Sequence, residues 1–289
     1  MKILFTADWH IKLGQKNVPV SWALNRYQEF FNDIYELEKD IDIHIIGGDL
    51  FDRLPSLEEL ELFFSFIEKV QVPTYIYDGN HEAAKKNETF LNKLQNVSSR
   101  INRHARIITD IFEDPDYGFQ ILPYGYLHSK GVFDMLNSGI PLFTHVRGEI
   151  PPHVTPEVPL ENFDKFPVVF AGDLHSHSNT QRNIVYPGSP MTVEFHRNKV
   201  STGYIIIETD DWSWEWGEFD LPQLIRKKVS HKSEMVKTER DHTIYELEGD
   251  LQDLAAVENS ELLDKKVVRR STDAALILDD GLTIEEELT

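Results

Sequence analysis

Five short stretches of the chain carry the residue types that hold cations and move protons: Asp8-Trp9-His10, Gly47-Gly48-Asp49-Leu50-Phe51-Asp52-Arg53, Gly79-Asn80-His81-Glu82, Thr144-His145 and Gly172-Asp173-Leu174-His175-Ser176-His177. Carboxylate, amide and imidazole groups suit hard or borderline divalent cations. With no cysteine, the chain has no thiolate zinc site, no thiol nucleophile and no disulfide. Two ions held roughly 3.5 to 4 Å apart need a carboxylate between them to offset their repulsion. Asp49 is the natural bridge, because the glycine pair before it lets the backbone turn sharply. Any one piece has an ordinary explanation: Asp-x-His is a common loop, and Gly-Asn-His is a turn signal. What sets the five apart is that each directly follows an apolar, strand-like run.

Those runs lie at residues 2 to 7, 41 to 46, 73 to 78, 119 to 122, 140 to 145 and 167 to 171. Between the first three lie helical patterns. Trp22, Leu24, Tyr27, Phe30, Phe31, Ile34 and Leu37 make a one-sided apolar face, and Ser56 with Glu59 predicts a capping box ahead of Leu60, Phe63, Phe64 and Ile67. Alternating strands and helices predict an α/β sheet, whose ligands collect at the carboxyl ends of its strands. Residues 148 to 166, rich in proline and without periodicity, are predicted to be a long loop. Beyond 171 the long helices cease, and Val200 to Glu208 with Trp212 to Phe219 read as an antiparallel pair in a sheet-on-sheet layer.

A length of 289 residues with 40% hydrophobic content supports one large domain plus a small addition. Composition shifts near Leu224: residues 226 to 270 hold 10 basic and 10 acidic side chains, and residues 271 to 289 hold 6 acids and no base. The expected organisation is therefore a large domain over 1–225, a small α/β appendage over 226–270, and an acidic tail over 271–289. The tail's Leu276, Ile277, Leu278, Leu282, Ile284 and Leu288 make it either a partner-docking segment or a frayed end. No apolar run approaches the roughly 18 residues of a membrane span, so a cytoplasmic protein with no membrane partner is expected. The net charge of −20 argues against nonspecific binding to nucleic acid. Lys12, Lys16, Arg26, Arg53, Lys85, Lys86 and Arg147, close in sequence to the five pieces, soften that objection.

In this order the five pieces resemble the pattern D-x-H, G-D-x-x-D, G-N-H-D/E, H and G-H-x-H of the calcineurin-like metallophosphoesterase superfamily. Val185-Tyr186-Pro187-Gly188-Ser189-Pro190, followed by Glu194-Phe195, is similar to its nuclease branch, the SbcD-type recombination and repair subunits with their bacteriophage counterparts. The resemblance covers about residues 1 to 220. It implies a sandwich of two mixed sheets flanked by helices as the nuclease domain over 1–225, with the small C-terminal α/β domain over 226–270 appended as a capping or DNA-contacting domain. It also implies two divalent metal ions, Mn²⁺ or else Mg²⁺, one held by Asp8, His10, Asp49 and His175, the other by Asp49, Asn80, His145 and Asp173. His81 would be the catalytic histidine. The activity implied is exonucleolytic, with endonuclease activity alongside it, on DNA ends during recombination, repair and replication. The partners implied are an SbcC-like coiled-coil ATPase and a second copy of the chain, in the host cytoplasm for a viral member.

One position departs from the pattern: Asp173 stands where the motif has histidine. Either Asp173 ligates directly, favouring harder ions, or His177 supplies the nitrogen and Asp173 orients His175; direct ligation is the expectation. Other functions on the same residues are a stand-alone metallophosphatase or cyclic-nucleotide phosphodiesterase, and a scaffold with an inactive site. A purple acid phosphatase would need tyrosine where Asp52 stands. His44, His104, His128, His153, His196, His231 and His242 lack ligand-like spacing and read as structural or surface groups, as Trp9 and Tyr124 read as packing residues. Asp52 is expected to make hydrogen bonds beside the site, and Arg53 to face a phosphate.

Overall fold

A computed structural model describes residues 1–85 and 88–268. The chain runs β1 (Lys2–Thr6), α1 (Val20–Leu37), β2 (Ile43–Gly47), α2 (Leu57–Lys69) and β3 (Thr74–Tyr77), the predicted alternation. A short antiparallel pair, β4 (Ala83–Lys85) and β5 (Glu88–Thr89), precedes α3 (Leu91–Ile101), β6 (Ala105–Ile108), β7 (Phe112–Asp114) and β8 (Phe119–Leu122). Two single-turn helices, α4 (Tyr124–Leu127) and α5 (Val132–Met135), lead to β9 (Leu142–His145), β10 (Val169–Gly172) and β11 (Ile184–Val185). The last strands of the large unit are β12 (Gly203–Glu208) and β13 (Trp214–Glu218).

These strands make two mixed sheets. One has the order β13-β12-β1-β2-β3-β6, parallel from β1 to β6 with β12 and β13 antiparallel at one edge; the other has the order β11-β10-β9-β8-β7, with only β7 antiparallel. The predicted pair after residue 171 thus rejoins the first sheet, with Lys2 to Phe5 facing Ile205 to Glu208.

Alternate residues of each strand face opposite layers. Ile3, Phe5, Ile43, Ile45 and Tyr77 of the first sheet meet Phe119, Ile121, Phe143, Phe170 and Val185 of the second, with Phe5 edge-on to Phe143 at 5.3 Å. Leu4, Ile46, Ile76 and Ile107 point the other way, into Tyr27, Phe30, Phe31, Ile34, Phe63 and Phe66 of α1 and α2. Leu122, Leu142, Val169 and Ile184 pack outward against Leu127, Val132, Leu160 and Phe163. Layers covered on both faces explain why the strands read as unbroken apolar runs rather than alternating ones.

The capping box forms: Ser56 Oγ accepts from Glu59 N at 3.2 Å, and a Glu59 carboxylate oxygen accepts from Ser56 N at 2.8 Å. The helix α3 and edge strand β6 were not expected from the sequence, nor was the 3₁₀ turn Leu160–Phe163, which gives the proline-rich loop two buried apolar side chains.

A second compact unit comprises Arg226–Lys237 and the described residues from Thr243 onward. It contains most of β14 (Leu224–Val229), β15 (His242–Gly249), α6 (Leu251–Ala255) and β16 (Leu263–Val268), with a core of Val229, Tyr245, Leu247, Leu254 and Leu263. Thr238–His242, placed by the sequence in the appended domain, belong to the larger unit, where Asp241 accepts from Gln223 N at 3.0 Å and pairs with Lys199 at 2.9 Å. The expected docking segment 271–289 lies outside the described residues, as does Lys86.

Candidate metal centre

Five strand ends converge at one edge of the sandwich. Asp8 follows β1, Asp49 follows β2, Asn80 and His81 follow β3, His145 ends β9, and Asp173 and His175 follow β10. The turns that aim these side chains are strained. Asp8, His10, Asp49 and Asp173 have φ of 57°, 45°, 49° and 97°, a region that costs a non-glycine residue of order 1–3 kcal/mol. Such strain persists only where surrounding contacts over-determine it, and here they do. Asp8 N donates to Gly48 O at 3.1 Å, His10 N to Asp49 O at 2.9 Å, Asp173 N to Asp8 Oδ1 at 3.0 Å and His81 N to Asp49 Oδ1 at 2.9 Å. Two glycines make the approach possible: Gly48 turns at φ +83°, and a Cβ on Gly79 would overlap Asp49 Oδ1.

The ligand atoms fall into two groups sharing Asp49. His10 Nε2 lies 3.0 Å from His175 Nε2 and 3.7 Å from Asp49 Oδ2, with Asp8 beside them. His145 Nε2 lies 3.4 Å from Asp49 Oδ2, 3.0 Å from the Asn80 amide and 3.9 Å from Asp173 Oδ1. His145 Nδ1 is 2.9 Å from Gly47 O, which can only accept, so Nδ1–H donates to the carbonyl and Nε2 is the atom facing the cluster. The Asn80 amide lies at the centre of this group: its NH₂, turned inward, donates to Asp173 Oδ1 at 3.3 Å and Asp49 Oδ2 at 3.2 Å, and rotation of the amide by half a turn would present its oxygen to a cation in the same place. Oxygen and imidazole donors with no sulfur fit a divalent ion.

Electrostatics point the same way. Burial pushes the Asp8 carboxyl well above its ordinary value, and the like charges of Asp49 and Asp173 add to this. Burial brings His10 down to about 3 and lowers His175, keeping both imidazoles neutral, the form that ligates. Against burial, His145 and then His10 and His81 hold Asp49 below the usual carboxylate range, while Asp49 holds His145 well above its own. A proton shared by a buried Asp–His pair occupies a place a dication would take.

The structure therefore gathers all seven sequence-predicted ligands, and His81 with them. Its Nδ1 is 2.6 Å from Asp52 O and its Nε2 is 3.8 Å from Asp49 Oδ2; at 36% it is the most open of the site's imidazoles that pair with Asp49. His177 stands apart: Nδ1 bonds Tyr186 O at 2.7 Å, and the ring stacks on Trp216 at 5.4 Å and 17°. Asp52 pairs with Lys12 at 2.7 Å. Arg53, expected to face a phosphate, is instead bound by both guanidinium ends to Glu59. Trp9 is buried edge-on to Phe30 and Phe66, as a packing residue should be.

Sequence reasoning gave no role to Glu82. It is fully buried, and its carboxylate accepts from Asp49 N at 3.0 Å, Phe51 N at 2.8 Å and Gly79 N at 2.8 Å, clamping the second strand end to the third. Burial pushes this carboxyl up to about 8, the nearby Asp49 charge adding to it. The only sequence signal was its place directly after His81.

The fold, the strand-end site and a family match over residues 1–176 together establish that the chain belongs to the calcineurin-like phosphoesterase family. It is an enzyme of phosphoester hydrolysis whose clustered Asp and His residues are suited to divalent metal. It is similar to the probable exonuclease subunit 1 of Escherichia phage T5, at 42% identity over 293 residues, covering 97% of this chain and 89% of that protein. It is also similar to the putative phosphoesterase 244L of Invertebrate iridescent virus 6, at 28% identity over 81% of this chain and 88% of that one. A solved archaeal phosphodiesterase aligns with 76% of this chain and 100% of its own, at 18% identity and a TM-score of 0.41. No helix among the described residues is long and apolar enough to cross a membrane.

Proposed function

We propose that this chain is a two-metal phosphodiesterase acting on DNA ends, the nuclease subunit of a recombination and repair complex. The observation that carries the reading is the position of Asp49 Oδ2, 3.7 Å from His10 Nε2 and 3.4 Å from His145 Nε2, a single oxygen common to both ligand groups. Asp8, His10, Asp49 and His175 hold one ion, and Asp49, Asn80, His145 and Asp173 hold the other. Mixed oxygen and imidazole ligation favours Mn²⁺, with Mg²⁺ the alternative. When bound, the two ions polarise the phosphate and lower the pKa of water at the site.

The remaining chemistry falls to the chain. His81 delivers a proton to the leaving oxygen: the Asp52 carbonyl fixes its Nδ1, which leaves Nε2 at the mouth of the site. The buried rings of His10 and His145 and the strained turns around them hold the ligands in place before substrate arrives.

The relative named an exonuclease subunit supports DNA as substrate and a further subunit as partner, which we take to be an SbcC-like coiled-coil ATPase. The second unit serves as a capping or DNA-contacting domain. Leu57, Val97 and Ile101, exposed on α2 and α3, support pairing with a second copy of the chain. The same reading puts the enzyme's work in recombination, repair and replication in the cytoplasm, that of the host for a viral chain.

Incubation with end-labelled duplex DNA, single-stranded DNA and p-nitrophenyl phosphate, with Mn²⁺ or Mg²⁺ and with or without the ATPase, tests the proposal. Metal-dependent shortening of labelled duplex supports it. Hydrolysis of p-nitrophenyl phosphate with untouched DNA would assign a stand-alone phosphatase instead.

A further inference from the structure

The geometry points to Arg147 as the residue that makes aspartate workable at position 173, so that Arg147 and Asp173 act as one unit in holding the second ion. This rests on the two-ion reading above. Asp173 brings a third carboxylate into a pocket already holding Asp8 and Asp49, and its side chain is only 6% exposed. Three converging carboxylates repel one another, and burial removes the water that would screen them. Arg147, two residues past His145, meets the new charge with a fork: Nε donates to Asp173 Oδ2 at 3.2 Å and Nη2 to Asp173 Oδ1 at 3.3 Å. A paired carboxylate and guanidinium carry no net charge, as the neutral imidazole expected in that motif carries none. The substitution therefore leaves the charge around the second ion unchanged.

The fork also fixes direction. Asp173 Oδ1 is 3.3 Å from the Asn80 amide and 3.9 Å from His145 Nε2, so with both oxygens gripped, the one held by Nη2 of Arg147 is turned toward the other proposed ligands of that ion. Arg147 is itself anchored. Its backbone N donates to Glu157 Oε1 at 2.8 Å, and Glu157 Oε2 accepts from Tyr124 OH at 3.0 Å, with the Tyr124 ring edge-on to His145 at 6.0 Å. A lysine could supply the charge but not the planar two-point grip. Arg147 is thus a positioning residue, acting on the ion through Asp173.

Mn²⁺ titration of the full-length chain, followed by electron paramagnetic resonance, reads each ion separately and needs no turnover. Arg147→Ala is expected to weaken the second ion about 10–100-fold, the range for losing a group that orients a ligand, while the first ion binds as before. Arg147→Lys should fall between. Asp173→His restores an imidazole but faces it with an uncompensated guanidinium, so the second ion weakens. Asp173→His combined with Arg147→Ala should regain at least about tenfold over Asp173→His alone, a coupling that independent sites do not show. Unchanged binding of the first ion in each variant excludes misfolding as the cause. Wild type with two ions and Arg147→Ala equally tight, or a double variant no better than Asp173→His, overturns the inference alone. A wild-type stoichiometry of one overturns the two-ion reading and this inference with it.

Discussion

His81 and Asp49 touch, yet their substitutions separate turnover from binding. The His81 ring is oriented by the Asp52 carbonyl and, although it lies within reach of His10 and Asp49, is on the proposed reading a proton donor and not a ligand, so His81→Ala is expected to keep two Mn²⁺ while turnover falls about 10²–10⁴-fold. Loss of an ion in that variant, read by metal analysis after gel filtration, would contradict the role. Between the two candidates for the last ligand, Asp173→Asn should raise the Mn²⁺ concentration needed for activity, and His177→Ala should leave it unchanged, because His177 is spent on Tyr186 O and Trp216. Glu82 makes a subtler case. Glutamine keeps the shape but presents an NH₂ where one of three backbone N–H groups needs an acceptor, so Glu82→Gln should cost about 1–3 kcal/mol in chemical denaturation and loosen the metals. The Asp, Asn and His residues that the fold brings together were legible in the sequence because side chains of metal-binding type stood at strand ends. Glu82 and Arg147 were not, because a carboxylate serving backbone donors, or a guanidinium serving a ligand, leaves no pattern until the chain is folded.

Among the elements, α2 shows how a local signal extends to the site. Glu59 completes the capping box, accepts from Leu13 N at 2.8 Å in the loop after the first motif, and holds Arg53. Against the burial that pushes it up, the bonds from Arg53, Ser56 N and Leu13 N hold its carboxyl below the ordinary value near 4.5. A depressed folded-state value stabilises the fold above the unfolded value and ceases to do so as pH falls through the folded one. Glu59→Gln should therefore lower the thermal midpoint at pH 7, by an amount worth about 1–3 kcal/mol, and the gap to wild type should close on acidification below 4.5. A gap that persists at pH 3 would show that the effect is steric. The runs for β1, β2, β3, β8, β9 and β10 were legible because both their faces are buried. The short edge strand β6, with Arg106 exposed, and α3, with Asn92, Gln95, Asn96, Ser98 and Ser99 breaking its apolar face of Leu91 and Leu94, offered no such contrast.

For the whole molecule, a net charge of −20 has to be reconciled with a polyanionic substrate. On the proposed reading, two dications would offset part of that charge where phosphate approaches, and a partner subunit would supply further phosphate contacts. The acidic segment 271–289 fits docking on such a partner by its composition. Its removal should leave metal binding intact and weaken recovery of the ATPase in pull-downs, and recovery by the intact chain should itself fall as salt rises; equal recovery of the truncated and intact chains would place the docking surface upstream, in residues 226 to 270. All of this depends on two ions bridged by Asp49. The most direct measurement is the stoichiometry and spin coupling of Mn²⁺ in the purified wild-type chain and in Asp49→Ala. Two exchange-coupled ions in the wild type, both lost in Asp49→Ala, are the predicted result. A single uncoupled ion in the wild type, or two ions retained without Asp49, would contradict it.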